Sequence, residues 1–299
     1  MITPSFLKEG DSIGIISTAR RVSEKEINPC EYILESWGLR VIKGRHLFQA
    51  DNQFSGTDAQ RAKDLQNMLD DPNIKAILCA RGGYGTIKIV DNLDFSNFIE
   101  NPKWLIGYSD VTALHSHIHT NINVKSIHGI MAINFAKDNK GVEGLRKALF
   151  GEPIGYQIPP SKFNRGGSCQ GVFVGGNLSL LYSMTGTNSN IQTDGKILFI
   201  EDVDEYLYHI DRMMMNLKRA GMLRNLAGLI VGGMTEMNDN NIHFGKNACE
   251  IIFEAVEGFN YPVCFDFPAG HVEANMPLII GSEAKVMVEN KKVQLQFIS

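Results

Sequence analysis

The sequence predicts an α/β protein whose first half forms a parallel β-sheet and whose second half is a mixed α/β unit. Three observations support this fold class. Short β-branched runs alternate with helical patterns through the first half, as they do in a series of βαβ units. Two capping boxes mark helix starts within the same half. The end of the chain instead shows short apolar runs separated by turn residues, a pattern typical of antiparallel strands.

Local signals define the predicted elements of the first half. The capping boxes Ser23-Glu24-Lys25-Glu26 and Thr57-Asp58-Ala59-Gln60 predict helices that reach about Trp37 and Asp70. Pro29 lies near the start of the first helix, which either tolerates it or breaks there. Apolar runs predict strands at 13–17, 39–42, 74–79 and 104–107. Ligands of such sheets bind at the carboxyl ends of the strands.

A region rich in Gly and Pro interrupts the pattern between Phe150 and Gly176. We therefore expect a first domain over 1–150, a linker over 151–170 and a second domain over 171–299. In the second domain we predict a strand ending at Glu201, helices over about 205–220 and 246–256, strands over 227–231 and 262–266, and antiparallel tail strands over 278–280, 284–288 and 293–297.

Composition narrows the range of partners. The chain has 299 residues and a net charge of −4, from 29 Lys and Arg against 33 Asp and Glu. No long basic run is present, so neither a nucleic acid nor an anionic membrane is an expected partner. The five cysteines are scattered without a C-x-x-C pair, which favours reduced thiols. The N-terminal apolar run is too short for a signal peptide or a membrane span, and we expect a soluble cytoplasmic protein.

The candidate nucleophile is Ser109. It follows the apolar run 104–107, which ends at Gly107, and it precedes a helical segment. A serine at such a junction can lie beside a backbone N–H that stabilises an oxyanion. A helix N-cap explains an isolated serine equally well. The segment also lacks the second glycine of the α/β-hydrolase elbow, so that superfamily is rejected.

A serine nucleophile requires a base and an orienting carboxylate. Glu201 closes the apolar run 197–200, whereas the neighbouring Asp202, Asp204 and Glu205 are explained by a helix start that favours negative charge. His271 is the candidate base, because it lies in an irregular loop of Pro, Gly and Asn over 268–277. His128 is its strongest rival.

The segment Arg81-Gly82-Gly83-Tyr84-Gly85 matches no nucleotide-binding fingerprint. A tight turn is the simple interpretation. The functional one is that the N–H groups of Gly83 and Asp110 form an oxyanion hole. Arg81 and Tyr84 are candidate substrate contacts, and for Arg81 a carboxylate partner and a solvated loop charge are equally supported.

No cofactor or metal is expected. His115 and His119 share a helix face, but no third ligand accompanies them. The run 213–215 of methionines lies in a helix and indicates core packing rather than a cofactor site.

Taken together, these motifs resemble the LD-carboxypeptidases, a family of serine peptidases also called muramoyl-tetrapeptide carboxypeptidases. The matching segments run in order along almost the whole chain: Gly10-Asp11-Ser12-Ile13-Gly14, Arg81-Gly82-Gly83-Tyr84-Gly85, Gly107-Tyr108-Ser109-Asp110, Gly175-Gly176-Asn177-Leu178, Glu201-Asp202 through Asp211-Arg212, and Gly270-His271. One departure is Val272, where the family pattern suggests a smaller residue.

The resemblance implies an N-terminal Rossmann-like (flavodoxin-like) domain, a C-terminal domain, an active site between them and a homodimer. It also implies the reaction, which is cytoplasmic release of terminal D-alanine from murein tetrapeptides during peptidoglycan recycling. Ser109 would be the nucleophile, His271 the base and Glu201 the orienting carboxylate. Gly83 and Asp110 would supply the oxyanion hole.

Two alternatives remain open. A second branch of the same family hydrolyses peptide-nucleotide antibiotics of the microcin C type and gives self-immunity. Its members have a longer insertion before the catalytic Glu, with an aromatic residue that stacks on adenine. Here the segment 177–201 is short and its only aromatics are Tyr182 and Phe199, so the recycling branch is favoured. The other alternative is a module that binds a small peptide without catalysis.

Overall fold

A computed structural model describes residues 1–298 of the chain. Within these residues, thirteen strands form one sheet of six strands and one of seven. The strands of the first half are β1 (Ser12–Ile16), β2 (Arg40–Lys43), β3 (Ile74–Cys79), β4 (Trp104–Gly107) and β5 (Ser126–His128). The helices of this half are α1 (Glu24–Ser36), α2 (Asp58–Asp70), α3 (Ser96–Glu100), α4 (Thr112–His117) and α5 (Asn139–Leu149).

The first sheet is parallel through β5-β4-β3-β1-β2, which confirms the predicted fold class. Both predicted capping boxes form. The Glu26 carboxylate accepts the Ser23 N–H at 2.8 Å, and the Gln60 side chain accepts the Thr57 N–H at 2.9 Å. Helix α1 continues through Pro29 to Ser36. Every residue of β1 and β4 is buried, as expected for a parallel sheet covered on both faces.

The second half contains the remaining elements. Its strands are β6 (Gly155–Ile158), β7 (Gly167–Asn177), β8 (Ile197–Val203), β9 (Gly228–Thr235), β10 (Val263–Cys264), β11 (Leu278–Ile280), β12 (Glu283–Val288) and β13 (Val293–Phe297). Its helices are α6 (Leu178–Ser183), α7 (Leu207–Arg219) and α8 (Ala248–Val256). The second sheet has the order β10-β9-β8-β7-β12-β13-β6, in which β7 to β10 are parallel and β12, β13 and β6 are antiparallel.

The structure corrects two sequence predictions about this half. The expected linker 151–170 contains β6 and the start of β7. Strand β6 lies at a sheet edge with no fully buried residue, and its alternation of Tyr156 and Ile158 with Gly155 and Gln157 is too short to indicate a strand among the neighbouring Gly and Pro residues. The tail segment 278–280 is antiparallel as predicted, but β11 joins the first sheet, where Leu278 pairs with His128. A run of three apolar residues does not indicate which distant strand it pairs with.

The carboxyl ends of β3, β4 and β8 lead into the loops that build the candidate site. Beyond β3 comes the glycine-rich loop 81–85, and beyond β4 comes Ser109. Glu201 does not end its strand as predicted, because β8 extends to Val203. Among residues 1–298, no helix combines the length and apolarity needed to cross a bilayer.

Candidate active site

Ser109 occupies a sharp turn after β4. Its φ of 61° is in the left-handed region, which residues with a side chain seldom adopt outside constrained or functional positions. A 3₁₀ turn over Ser109–Val111 then leads into α4. Gly107 makes this turn possible, since a Cβ there would lie 2.8 Å from the Val111 side chain. The turn places Ser109 on the wall of a cavity of about 530 Å³.

His271 lines the same cavity and is paired with Glu201. Its Nδ1 lies 2.7 Å from Glu201 Oε2, and its backbone N–H donates to the same oxygen at 3.2 Å. Glu201 is completely buried. Because Nδ1 donates to the carboxylate, Nε2 is the nitrogen that is free to accept a proton. The two hydrogen bonds together fix the orientation of the ring.

The charge around His271 favours its protonated form. Burial lowers the pKa of the imidazole, but the hydrogen bond and negative charge of Glu201, with smaller effects of Asp202 and Glu236, outweigh burial and raise the pKa above 6.5. The Tyr108 ring, next to Ser109 in sequence, lies 4.9 Å from the His271 ring between centroids. The structure therefore brings Ser109, His271 and Glu201 into one region from three distant parts of the chain.

The glycine-rich loop faces Ser109. Gly82 and Gly83 both line the cavity, and a Cβ at Gly82 would lie 3.1 Å from the Ser109 Cβ. Gly83 has φ +108°, and no hydrogen bond within residues 1–298 uses its N–H group. Asp110 is buried directly after Ser109, and burial raises its pKa despite hydrogen bonds from the loop. The oxyanion-hole role of these amides remains a prediction.

The two candidate substrate contacts differ. Arg81 lines the cavity, but its Nη1 lies 3.5 Å from Glu26 Oε1, so part of its charge is already neutralised. Tyr84 lies outside the cavity lining. It is half exposed, and its ring lies 6.3 Å from the Phe54 ring between centroids. The structure thus brings Arg81, and not Tyr84, to the cavity that contains Ser109.

The rival histidines are buried within the protein. His128 is completely buried against Tyr108 and Phe199, and burial lowers its pKa well below the usual range. His115 is held by Ser126 Oγ at 2.7 Å and the Gly107 carbonyl at 2.8 Å. His119 Nε2 lies 2.9 Å from Lys196 Nζ. Of the histidines in residues 1–298, His271 is the one that lines the cavity.

One wall of the cavity is acidic, which the sequence interpretation missed. Asp202, Asp204, Glu205 and Glu236 all line it. Asp202 is not a helix-start charge, because it lies within β8 and is buried. It accepts hydrogen bonds from Asn177 Nδ2 and the Ser179 N–H, both at 2.9 Å. Burial, with the negative charge of Glu201, raises the pKa of Asp202 to about 7.

Arg20 was also missed by sequence reasoning. It lies in the loop after β1 and lines the cavity. The available signal was its place just beyond a strand at the carboxyl edge of the sheet, where ligands bind.

Comparison with known proteins shows which protein family this chain matches. Residues 13–129 match the family model of the LD-carboxypeptidase N-terminal domain, and residues 170–286 match that of the LD-carboxypeptidase C-terminal domain. A probable murein peptide carboxypeptidase of Bacillus subtilis is 34% identical over 301 residues, covering 98% of this chain and 94% of that protein.

Two solved structures share the fold. Muramoyltetrapeptide carboxypeptidase from Oxalobacter formigenes has a TM-score of 0.88 at 24% identity, covering 96% of this chain and 99% of its own. The microcin C7 self-immunity protein MccF, in complex with aspartyl sulfamoyl adenosine, has a TM-score of 0.88 at 23% identity, covering 99% and 98%. At these identities the two structures establish the common fold.

Proposed function

The chain belongs to the LD-carboxypeptidase family of serine peptidases, and from this we propose that it hydrolyses the L,D-peptide bond of murein tetrapeptides and releases terminal D-alanine. The observation that carries the proposal is the meeting of Ser109 and the His271–Glu201 pair at one cavity. Nucleophile, base and orienting carboxylate are the parts that metal-independent acyl transfer requires.

In the proposed mechanism, His271 Nε2 takes the proton of the Ser109 hydroxyl as Oγ attacks the carbonyl carbon before D-alanine. Glu201 stabilises the imidazolium that forms. The oxyanion would be held by the N–H groups of Gly83 and Asp110, each of which contributes about 10²- to 10³-fold in comparable sites. His271 then gives its proton to the leaving D-alanine nitrogen.

The second half of the reaction releases the shortened peptide. The ester between Ser109 Oγ and the peptide carbonyl is attacked by water, from which His271 takes a proton. The tetrahedral intermediate collapses, the ester bond breaks, and the proton returns to Ser109 Oγ. The buried position of Glu201 supports this cycle, because its carboxylate is shielded from water and oriented toward a single imidazole.

The test is an assay of D-alanine release. Purified protein would be incubated with a murein tetrapeptide that ends in D-alanine, and free D-alanine would be measured with D-amino acid oxidase. We expect release by the wild type, and a loss of at least about 10³-fold in the Ser109→Ala variant. Exposed Ser183→Ala, on α6, is the matched control. Undiminished release by the Ser109→Ala variant would remove the nucleophile assignment.

A second candidate activity is hydrolysis of aminoacyl nucleotide analogues, supported by the fold shared with MccF. The aromatic residues between Asn177 and Glu201 argue against it. Phe199 is completely buried in the core, and Tyr182 packs near His209 at 5.9 Å between ring centroids. Neither residue lines the cavity. Parallel assays with aspartyl sulfamoyl adenosine and the murein tetrapeptide distinguish the two substrates by kcat/KM.

A binding module without catalysis is the third possibility. A serine-directed phosphonate separates it from a peptidase, because an activated Ser109 forms a covalent adduct that mass spectrometry detects. We include cytoplasmic peptidoglycan recycling and a homodimer in the proposal. Light scattering on the purified protein tests the dimer, and cell fractionation tests the location.

A further inference from the structure

We propose that Arg20 binds the free terminal carboxylate of the peptide substrate and thereby restricts cleavage to the last residue. This inference rests on the proposed function, and it concerns which group of the substrate the cavity recognises. It is carried by three observations: the position of the Arg20 side chain against Gly83, its lack of an ionic partner, and the distribution of charge around the cavity.

The Arg20 side chain lies directly against Gly83. A Cβ added at Gly83 would lie 2.6 Å from Arg20 Cδ and 2.7 Å from Arg20 Nε. Only glycine leaves room for the arginine in this position, and the φ of +108° at Gly83 also favours glycine. Nε of the guanidinium therefore lies beside Gly83, whose backbone N–H is proposed to bind the oxyanion.

This position matches the size of the leaving residue. In a peptide that ends in D-alanine, bond lengths place the terminal carboxyl carbon within about 4 Å of the carbonyl carbon that is attacked. A group that binds this carboxylate must lie close to the oxyanion site, on the leaving-group side. A guanidinium whose stem packs on Gly83 lies close to the proposed oxyanion site and presents the planar fork that carboxylates favour.

Arg20 is also electrostatically available. Across residues 1–298 its guanidinium makes no ion pair and no hydrogen bond. Its backbone is nevertheless held, because its N–H donates to the Gly82 carbonyl at 3.4 Å and its carbonyl accepts the Ser17 hydroxyl at 2.8 Å. Arg81, the other arginine of the cavity, already has Glu26 as a partner.

The remaining wall disfavours a carboxylate. Asp202, Asp204, Glu205 and Glu236 face the cavity on the side of the second sheet. A substrate carboxylate placed there would meet the negative charges of Asp204 and Glu236, whereas at Arg20 it meets an unpaired cation. Charge is thus distributed unevenly in the cavity. The unpaired positive charge of Arg20 lies next to the glycine-rich loop, and the acidic side chains lie on the side of the second sheet.

The experiment compares two substrates that differ in one group. The murein tetrapeptide with a free terminal carboxylate and the same peptide ending in D-alaninamide would be assayed with the wild type, Arg20→Gln and Arg20→Lys. We expect Arg20→Gln to lower kcat/KM for the acid by about 10- to 100-fold, the effect of losing a charge-assisted hydrogen bond, mainly through KM. Hydrolysis of the amide should stay within about twofold, and Arg20→Lys should keep part of the preference.

Arg21→Gln is the matched control, because Arg21 is the exposed neighbour and lies outside the cavity lining. It should retain the wild-type ratio of acid to amide. An equal loss on both substrates by Arg20→Gln would indicate a structural role and overturn the proposal. An unchanged ratio, or a ratio abolished by Arg81→Gln instead, would overturn it as well.

A binding measurement separates this inference from the proposed function. Calorimetry on the Ser109→Ala protein, with and without Arg20→Gln, would use the same acid and amide peptides. We expect Arg20→Gln to weaken binding of the acid by about 10- to 100-fold and to leave binding of the amide unchanged. If the wild type releases no D-alanine, the proposed function fails while this comparison still tests Arg20. Absence of any preference for the acid overturns the inference.

Discussion

The carboxylate of Asp110 accepts the backbone N–H of Thr86 at 2.8 Å. This hydrogen bond joins the turn after β4 to the end of the glycine-rich loop, and both groups are completely buried. The residue that follows Ser109 therefore also holds the segment that contains Gly83. The two amides of the proposed oxyanion hole are thus connected through a side chain, in addition to the sheet from which both loops emerge.

Replacing Asp110 should destabilise the protein. Asp110→Ala leaves the buried Thr86 N–H without an acceptor, which costs about 1 to 3 kcal/mol. Asp110→Asn keeps a carbonyl oxygen at this position and should cost less, since burial already disfavours the charged carboxylate. Urea unfolding of the two variants measures the difference. Equal and negligible losses would show that the hydrogen bond does not hold the loop.

Gly270→Ala should impair catalysis through Glu201. A Cβ at Gly270 would lie 2.6 Å from both Cγ and Oε2 of Glu201, and Oε2 is the oxygen that holds His271. The carboxylate must move, so we expect kcat to fall by about 10²-fold or more, as when an orienting group is misplaced. Steady-state kinetics measures this loss.

Gly186→Ala is the control that separates displacement of the Glu201 carboxylate from backbone strain. Gly186 also has a positive φ, +83°, but a Cβ there would meet nothing within 4 Å. Both variants therefore place alanine in a left-handed conformation, which costs about 1 to 2 kcal/mol. Only Gly270→Ala should lose activity under conditions where both proteins are folded. A matching loss in Gly186→Ala would attribute the effect to strain.

Local patterns were sufficient to predict the parallel part of the fold. Strands β3 and β4 are apolar runs bounded by turn residues, and their prediction is confirmed to the residue. Ser109 and His271 could be selected because each follows a strand or lies in an irregular loop, and the structure brings both to one cavity. Their catalytic roles remain predictions.

Features that depend on distant contacts could not be predicted in this way. The pairing of β11 with β5 joins residues far apart in the chain. The burial of Asp202 depends on its partners Asn177 and Ser179. Arg20 reaches the cavity because Gly83 has no side chain. None of these contacts produces a periodic pattern or a fixed spacing in the sequence, so each can be recognised only in the folded structure.

The pH dependence of kcat/KM should report His271. Only the neutral imidazole can take the Ser109 proton, so activity should fall as the pH falls through its pKa, which lies above 6.5. Glu201→Gln removes the charge that raises this pKa, and the acidic limb should move to lower pH while kcat falls by about 10²- to 10⁴-fold.

Rate profiles from pH 5 to 9 for the wild type and Glu201→Gln test this shift. Glu205→Gln is a suitable control, because Glu205 lines the same cavity but is paired with His209 at 2.6 Å. It should leave the limb in place. An acidic limb that does not move in Glu201→Gln would show that another group controls the profile.

The left-handed conformation of Ser109 should lower the free energy of unfolding of the protein. At φ 61° any residue with a Cβ is strained by about 1 to 2 kcal/mol, whereas glycine adopts this conformation freely. Glycine also makes the unfolded chain more flexible, which offsets about 0.5 to 1 kcal/mol. We therefore expect inactive Ser109→Gly to be more stable than inactive Ser109→Ala by about 0.5 to 1 kcal/mol, or about 1 to 2 °C in Tm.

The same pair of substitutions at Ser183 should give the opposite order. Ser183 is exposed at the end of α6, where glycine is less favourable than alanine by up to about 1 kcal/mol. Thermal unfolding of the four variants compares the two positions under identical conditions. If glycine is the less stable choice at both, the turn at Ser109 relaxes without cost, and the left-handed conformation does not store strain at the proposed nucleophile.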